Sequence, residues 1–186
     1  DPGVATNNLV SAGSSDVLLA HYDALGNYLL AKNMGGPSQD VGQAIARDAS
    51  GNLWISGQFY GTADFDPGPG NTSFTSPNGN FDVFLAKYDA TGSLLFAGAF
   101  GSADYENGPT LAVDVNGRVH LGGYCTGQMD VDPGAGTTLL SPLDRDAFFM
   151  TLSSAGVFVN AGSIGGHAAA GNCNIAEVAQ DPAGNT

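Results

Sequence analysis

Asp64 and Asp66 stand two residues apart, and so do Asp130 and Asp132. In an extended stretch the two carboxylates of such a pair point to the same side. Each pair runs straight into Pro-Gly, at 67–68 and at 133–134. Proline offers no N–H there, and glycine lets the chain fold back with its carbonyls exposed. Clustered hard oxygens of this kind suit Ca²⁺, so Asp64, Asp66, Asp130 and Asp132 are candidate calcium ligands. Asp40, and then Asp104 and Glu106, fall in loops that enter another strand and add carboxylates on the same side. The competing reading is that these residues only cap turns with their side chains. An EF-hand is excluded, because its Asp-x-Asp-x-Asp-Gly spacing is absent.

Other chemistry is sparse. Asn71-Thr72-Ser73 is a glycosylation sequon, meaningful in a host that uses it. Cys125 and Cys173 are the only cysteines, and their spacing matches no metal motif. Of the 18 acidic residues only Glu106 and Glu177 are glutamate. Aspartate competes with the backbone for hydrogen bonds, so this excess belongs in turns or around hard cations rather than on helices. Five Lys and Arg against a net charge of −13 argue against a nucleic-acid partner and against an anionic membrane surface. No apolar run is long enough to insert in a bilayer, and no signal peptide is visible. The chain opens on Asp1, without Met and inside a repeat, which marks it as processed or as a slice of something longer.

The acidic pairs keep time with the whole chain. Asp-Pro-Gly occurs at 1–3, 66–68 and 132–134, intervals of 65 and 66 residues. Such a period signals a repeat architecture, with units at 1–65, 66–131 and 132–186, the last one truncated. Residues 16–23, 82–89 and 146–153 align as apolar runs, each followed by Gly26, Gly92 or Gly156 and a second apolar run. Two such runs around Asp-x-x-Gly predict a β-hairpin, with aspartate capping the turn and glycine at the positive-φ position. A second hairpin follows in each unit, around Gly51 and Gly117, and begins again at Val178–Asp181. The runs are nearly continuous: Phe84, Ala86 and Tyr88 face one way, Val83 and Leu85 the other. Both sheet faces are therefore buried, as in sheets stacked face to face. The fold class is all-β. Four antiparallel strands per unit, apolar on both faces, predict β-propeller blades, present as an incomplete set. A sandwich of consecutive hairpins is the alternative, but sandwiches rarely repeat their sequence at a fixed interval.

Residues 82–96 and 111–119 resemble the bacterial seven-bladed β-propeller repeat known as the SBBP repeat. The resemblance runs over nearly the whole chain. It implies the strand order inner, second, third, outer, with inner strands starting near Ala44, Leu111 and Val178. It also implies a large secreted or surface-attached bacterial protein without assigned enzymatic activity. In that frame Cys125 ends a second strand and Cys173 precedes an inner strand on the same rim, so the two are a candidate disulfide. Residues 48–54 resemble the Asp-box of sialidase propellers only in turn chemistry. The arginines (Arg47, Arg118, Arg145) and histidines (His21, His120, His167) fall at non-equivalent repeat positions. They form no substrate clamp and no Ser/His/Asp set. The expected role is a non-catalytic, calcium-binding adhesion or interaction scaffold, secreted or on the cell surface, that meets a protein or glycan ligand. Its expected partners are further blades of the same chain or neighbouring copies. The alternatives are a subunit that assembles head to tail into a filament or matrix and, last, a glycan-active enzyme.

Overall fold

The computed structural model describes residues 8–142, 145–165, 173 and 175–179. These residues are all-β apart from one 3-10 turn at Pro77–Gly79. Strands β1 (Val17–Tyr22) and β2 (Tyr28–Met34) form an antiparallel pair. Next come β3 (Asp40–Arg47) and β4 (Leu53–Tyr60), the short hairpin β5 (Thr62–Asp64) and β6 (Ser73–Thr75), then β7 (Phe81–Tyr88) and β8 (Leu94–Phe100). The order β3-β4-β7-β8 makes one four-stranded antiparallel sheet, with β5-β6 as a separate ribbon. The plan repeats with β9 (Glu106–Val113), β10 (Val119–Cys125), the ribbon β11 (Met129–Asp130) and β12 (Leu139–Leu140), then β13 (Asp146–Leu152) and β14 (Phe158–Ile164).

The hairpin turns are built as their sequences predict. Gly26, Gly51, Gly92 and Gly117 have φ between 78° and 88°. Each donates its N–H to the carbonyl of Asp23, Asp48, Asp89 or Asp114. Oδ1 of each aspartate accepts two further turn amides. In the next turn Ser153 takes the aspartate's place, its Oγ accepting from Ala155 and Val157.

Period-two alternation then sorts the two faces. Phe84, Ala86 and Tyr88 join Ile55, Phe59 and Phe65 against Val17, Leu19 and Met34 of the first hairpin. Trp54, Val83, Leu85 and Phe100 face the other way, into a core shared with Leu111, Val119, Leu121, Phe148, Met150 and Leu152. Strand β9 packs directly on β3, β4 and β7. The near-continuous apolar runs are thus explained, because each sheet of the pair has a neighbour. Lys87 pins this seam: its Nζ lies 3.1 Å from Asp48 Oδ2, 2.8 Å from the Ser154 carbonyl of the following sheet, and over the Trp54 ring.

Three features differ from the sequence-based expectation. Strands β3 and β9 begin at Asp40 and Glu106, earlier than Ala44 and Leu111, because a register slip lets the strand continue past Gly42 and Gly108. The Asp-Pro-Gly segments are closed by short ribbons of their own. No strand forms over 175–179. Ile175 and Val178 instead lie against Gly122, and the Val178 N–H reaches Thr110 Oγ1 at 3.3 Å. The rest of the strand expected at Val178–Asp181 lies outside the described residues, as do Asp1–Gly3 and His167.

Candidate functional site

The two Asp-Pro-Gly loops are superimposable in their bonding. Asp64 Oδ1 accepts the N–H of Asp66 (3.0 Å) and of Thr72 (2.8 Å), while the Phe65 N–H reaches the Thr72 carbonyl (3.1 Å). Asp130 Oδ1 accepts from Asp132 (3.1 Å) and Thr138 (2.9 Å), and Val131 bonds the Thr138 carbonyl (2.9 Å). At the tips Asp66 Oδ1 caps Gly68 and Asp132 Oδ1 caps Gly134. The other carboxylate oxygens rest on Gly70 and Gly136, where a Cβ would come within 2.1 and 2.3 Å of them. Phe65 and Val131, wholly buried, anchor the loop bases, and the Tyr88 hydroxyl donates to the Phe65 carbonyl at 2.8 Å.

All four candidate ligands are therefore loop caps. A calcium shell takes about six to eight oxygens. Each loop offers two carboxylates whose Oδ1 atoms already face N–H donors, which disfavour a cation. Among the described residues no group of three or more His, Cys, Asp or Glu side chains is placed to hold a metal ion. The loop as folded does not supply a calcium shell by itself. Asn71 of the sequon is exposed, and its Nδ2 donates to Asp64 Oδ2 at 3.2 Å. Cys125 and Cys173 stand as free thiols rather than as the expected bridge. Cys125 belongs to the core between the sheets, whereas the Cys173 N–H is bonded to the Arg145 carbonyl.

The structure adds two arrangements that the sequence did not reveal. The first is a row of rings along the rim that carries these loops. Tyr60 and Phe81 lie 5.5 Å apart, Phe81 and Tyr105 6.1 Å, and Tyr105 and Tyr124 6.2 Å. Arg145 closes the row, its guanidinium 3.5 Å from the centre of the Tyr124 ring. Tyr60 and Tyr105 are each about one-third exposed. Asn107 Nδ2 donates to the Tyr105 hydroxyl, and Thr126 Oγ1 to the Tyr105 carbonyl. These rings come from the end of β4, the start of β7, the loop before β9 and the end of β10, so no local spacing betrays them. Beside the row opens a cleft of about 280 Å³, lined by Phe74, Thr75, Asp82, Asp130, Asp132 and Pro133 among others.

The second arrangement is Thr151, His120 and Asp114. Thr151 Oγ1 lies 3.1 Å from His120 Nδ1, and His120 Nε2 lies 3.7 Å from Asp114 Oδ2. It has the outline of a hydroxyl, base and acid series, but the repeat explains it. Strand pairing puts His120 opposite Thr151 as it puts Trp54 opposite Lys87, and Asp114 caps its turn as Asp48 does. Thr151 is 7% exposed, and it and His120 line a pocket of about 450 Å³ together with Phe149, Asn160 and Glu177, yet Asp114 is spent on its turn amides. The set supports a turn. Burial raises the Asp114 pKa, but the Arg118 and Asn116 amides outweigh it and hold the carboxylate below its ordinary range.

No protein-family model matches the chain. It is 30% identical over 122 residues, 64% of its length, to an uncharacterized WD repeat-containing protein of Acanthamoeba polyphaga mimivirus. It is likewise 30% identical over 128 residues, 67% of its length, to a protein named regulatory protein FlaEY from Caulobacter vibrioides. The matched stretches make up only 9% and 13% of those proteins, so the chain spans about a tenth of the length of the relatives it matches.

Proposed function

We propose that the chain is a run of β-propeller blades in a non-catalytic scaffold of the cell exterior, meeting its ligand at the rim formed by the acidic loops and the aromatic row. The carrying observation is the repetition of the seam. The same face of each sheet, with Val17 and Leu19 in one unit and Val83 and Leu85 in the next, meets the opposite face of its successor. Sheets of four short antiparallel strands stacked in this way are the unit of a propeller. The WD-repeat name of one relative supports the same reading, because WD repeats build propeller blades.

The ligand side of the reading rests on the rim. Partly exposed tyrosines beside amide side chains, with a guanidinium at one end, suit a glycan or a peptide, since such rings offer an apolar body and a polar tip. A glycan and peptide array probed with the chain and with the Tyr60→Ala/Tyr105→Ala variant tests the proposal. Binding lost at least tenfold in the variant supports it. Binding that survives unchanged moves the contact surface elsewhere.

A further inference from the structure

The seams carry a second repeated feature that the loops do not use. Asp16 and Asp82, Gly35 and Gly101, and Asp40 and Glu106 are each separated by 66 residues. In the first seam both carboxylates crowd Gly35, where a Cβ would lie 2.6 Å from Asp40 Oδ2 and 3.0 Å from Asp16 Oδ1. Asp40 is 1% exposed; its Oδ2 accepts the Gly36 N–H at 2.7 Å and its buried Oδ1 has no hydrogen-bond partner. Asp16 accepts from Ser11 Oγ, the Ala12 N–H and Asn33 Nδ2. In the second seam Asp82, 5% exposed, rests on Gly101 with its Oδ1 buried and without a partner. Glu106 is fully buried and accepts from the Ser102 N–H (2.9 Å) and Oγ (2.6 Å).

Among the described residues nothing positive is paired with either set of carboxylates. The ion pairs among the described residues are Lys87 with Asp48 and His120 with Asp114, and neither touches these carboxylates. Around Asp82 stand Glu106 from β9, then Asp104 beside Glu106, Asp130 and Asp132 across the cleft, and the Cys125 thiol, which burial and then Glu106 and Asp146 push up to about 12. Around Asp40 stand Asp16 and the Gly36 and Tyr60 amides. A buried carboxylate with an orphaned oxygen, a second carboxylate beside it and no counter-charge is disfavoured in its ionised form.

We propose that each seam holds a proton on a buried carboxyl, Asp40 beside Asp16 and Asp82 beside Glu106, so that the seam is tight in acid and loosens as that proton is lost. Burial, and then the neighbouring charge, pushes Asp82 up to about 7. Burial pushes Asp40 up to about 6, with Asp16 adding to it against the Gly36 bond. In the unfolded chain the same aspartates titrate near 3.9. The folded chain therefore binds more protons than the unfolded one between about pH 4 and 7, and stability falls as pH rises through that window.

The test is the melting temperature of the 186-residue chain at pH 5 and pH 8, for wild type, Asp82→Asn and Glu106→Gln. Wild type is expected to lose about 5 °C or more between the two, and each variant less than half of that. Each variant removes one seam carboxyl and leaves every other ionisable group in place, so the difference isolates the seam. Equal losses in wild type and variants overturn the proposal. Infrared titration of the wild type needs no variant to fold: a protonated-carboxyl band persisting at pH 6 is expected, and its absence is fatal to the idea. Stabilisation by millimolar calcium at pH 8 that Asp82→Asn abolishes would assign the seam to a cation and overturn the bound proton.

Discussion

Lys87 shows how one residue changes meaning once its neighbours are known. In the repeat it aligns with His21 and Thr151, and nothing local says that another sheet covers it. In the structure it is 7% exposed and holds Asp48 on one side and the Ser154 carbonyl on the other. Removing one partner of a buried pair leaves the other charge stranded. Lys87→Met is therefore expected to cost about 3–5 kcal/mol in urea unfolding, and a loss below 1 kcal/mol would place the pair in solvent. The Asp-x-Asp residues were legible in the sequence as a repeated chemical unit, and both readings of them were open. What decided the geometry was the amide at Thr72 or Thr138, eight positions from the first aspartate, a distance at which spacing carries no signal. Gly70 and Gly136 belong to the same unit, for the Asp66 and Asp132 carboxylates occupy the space of a side chain there. Gly136→Ala should cost about 1–3 kcal/mol, measured by denaturant unfolding, and should speed amide exchange at Gly134 and Thr138.

At the scale of elements, the hairpins were legible because turn chemistry is local: the spacing of aspartate and glycine specifies the turn, and the apolar runs specify the strands. The starts of β3 and β9 were not legible. Asp40-Val41-Gly42 and Glu106-Asn107-Gly108 look like loop, and the bulge that keeps them in the sheet depends on the strand opposite. Gly57 is that partner. A Cβ on it would lie 1.9 Å from the Val41 carbonyl oxygen and 2.7 Å from the Phe84 ring. Gly57→Ala should thus destabilise by about 1–3 kcal/mol through overpacking, and the β3 amides should exchange faster than those of β8. Comparable protection in both strands would show that the sheet absorbs the methyl group.

For the molecule as a whole, two families of carboxylate pull against each other. The Asn27 side chain and amide hold Asp23 below its ordinary range, and Thr91 and Ser93 do the same for Asp89. Their stabilisation is present above about pH 4 and is lost as pH falls further. The seam acids act in the opposite sense from pH 4 upward. The melting temperature should peak near pH 4–5, more acidic than the usual range of about 5–8, and a maximum at neutral pH would contradict that balance. Calcium is a separate question. Because the loop aspartates are already capped by amides, melting in millimolar calcium and in chelator should coincide. A rise of about 5 °C or more that Asp82→Asn leaves intact would assign the ion to the loops. The stacking of sheets was legible at this scale from apolar residues on both strand faces. The row of rings at the rim was not, because it draws one residue from each of several elements.

The loop closure has one more consequence. Phe65, Thr72 and Asp64 fasten one base, and Val131, Thr138 and Asp130 the other, while Pro69 and Asn71 stand where the second copy has Ala135 and Thr137. None of these four tip residues belongs to the cores between the sheets, and Asn71 reaches the framework through Asp64 Oδ2. Natural variation or deliberate grafting can rewrite the tips without touching the framework, much as a key can be recut without changing its bow. Diversity in the tips is thereby uncoupled from the stability of what holds them.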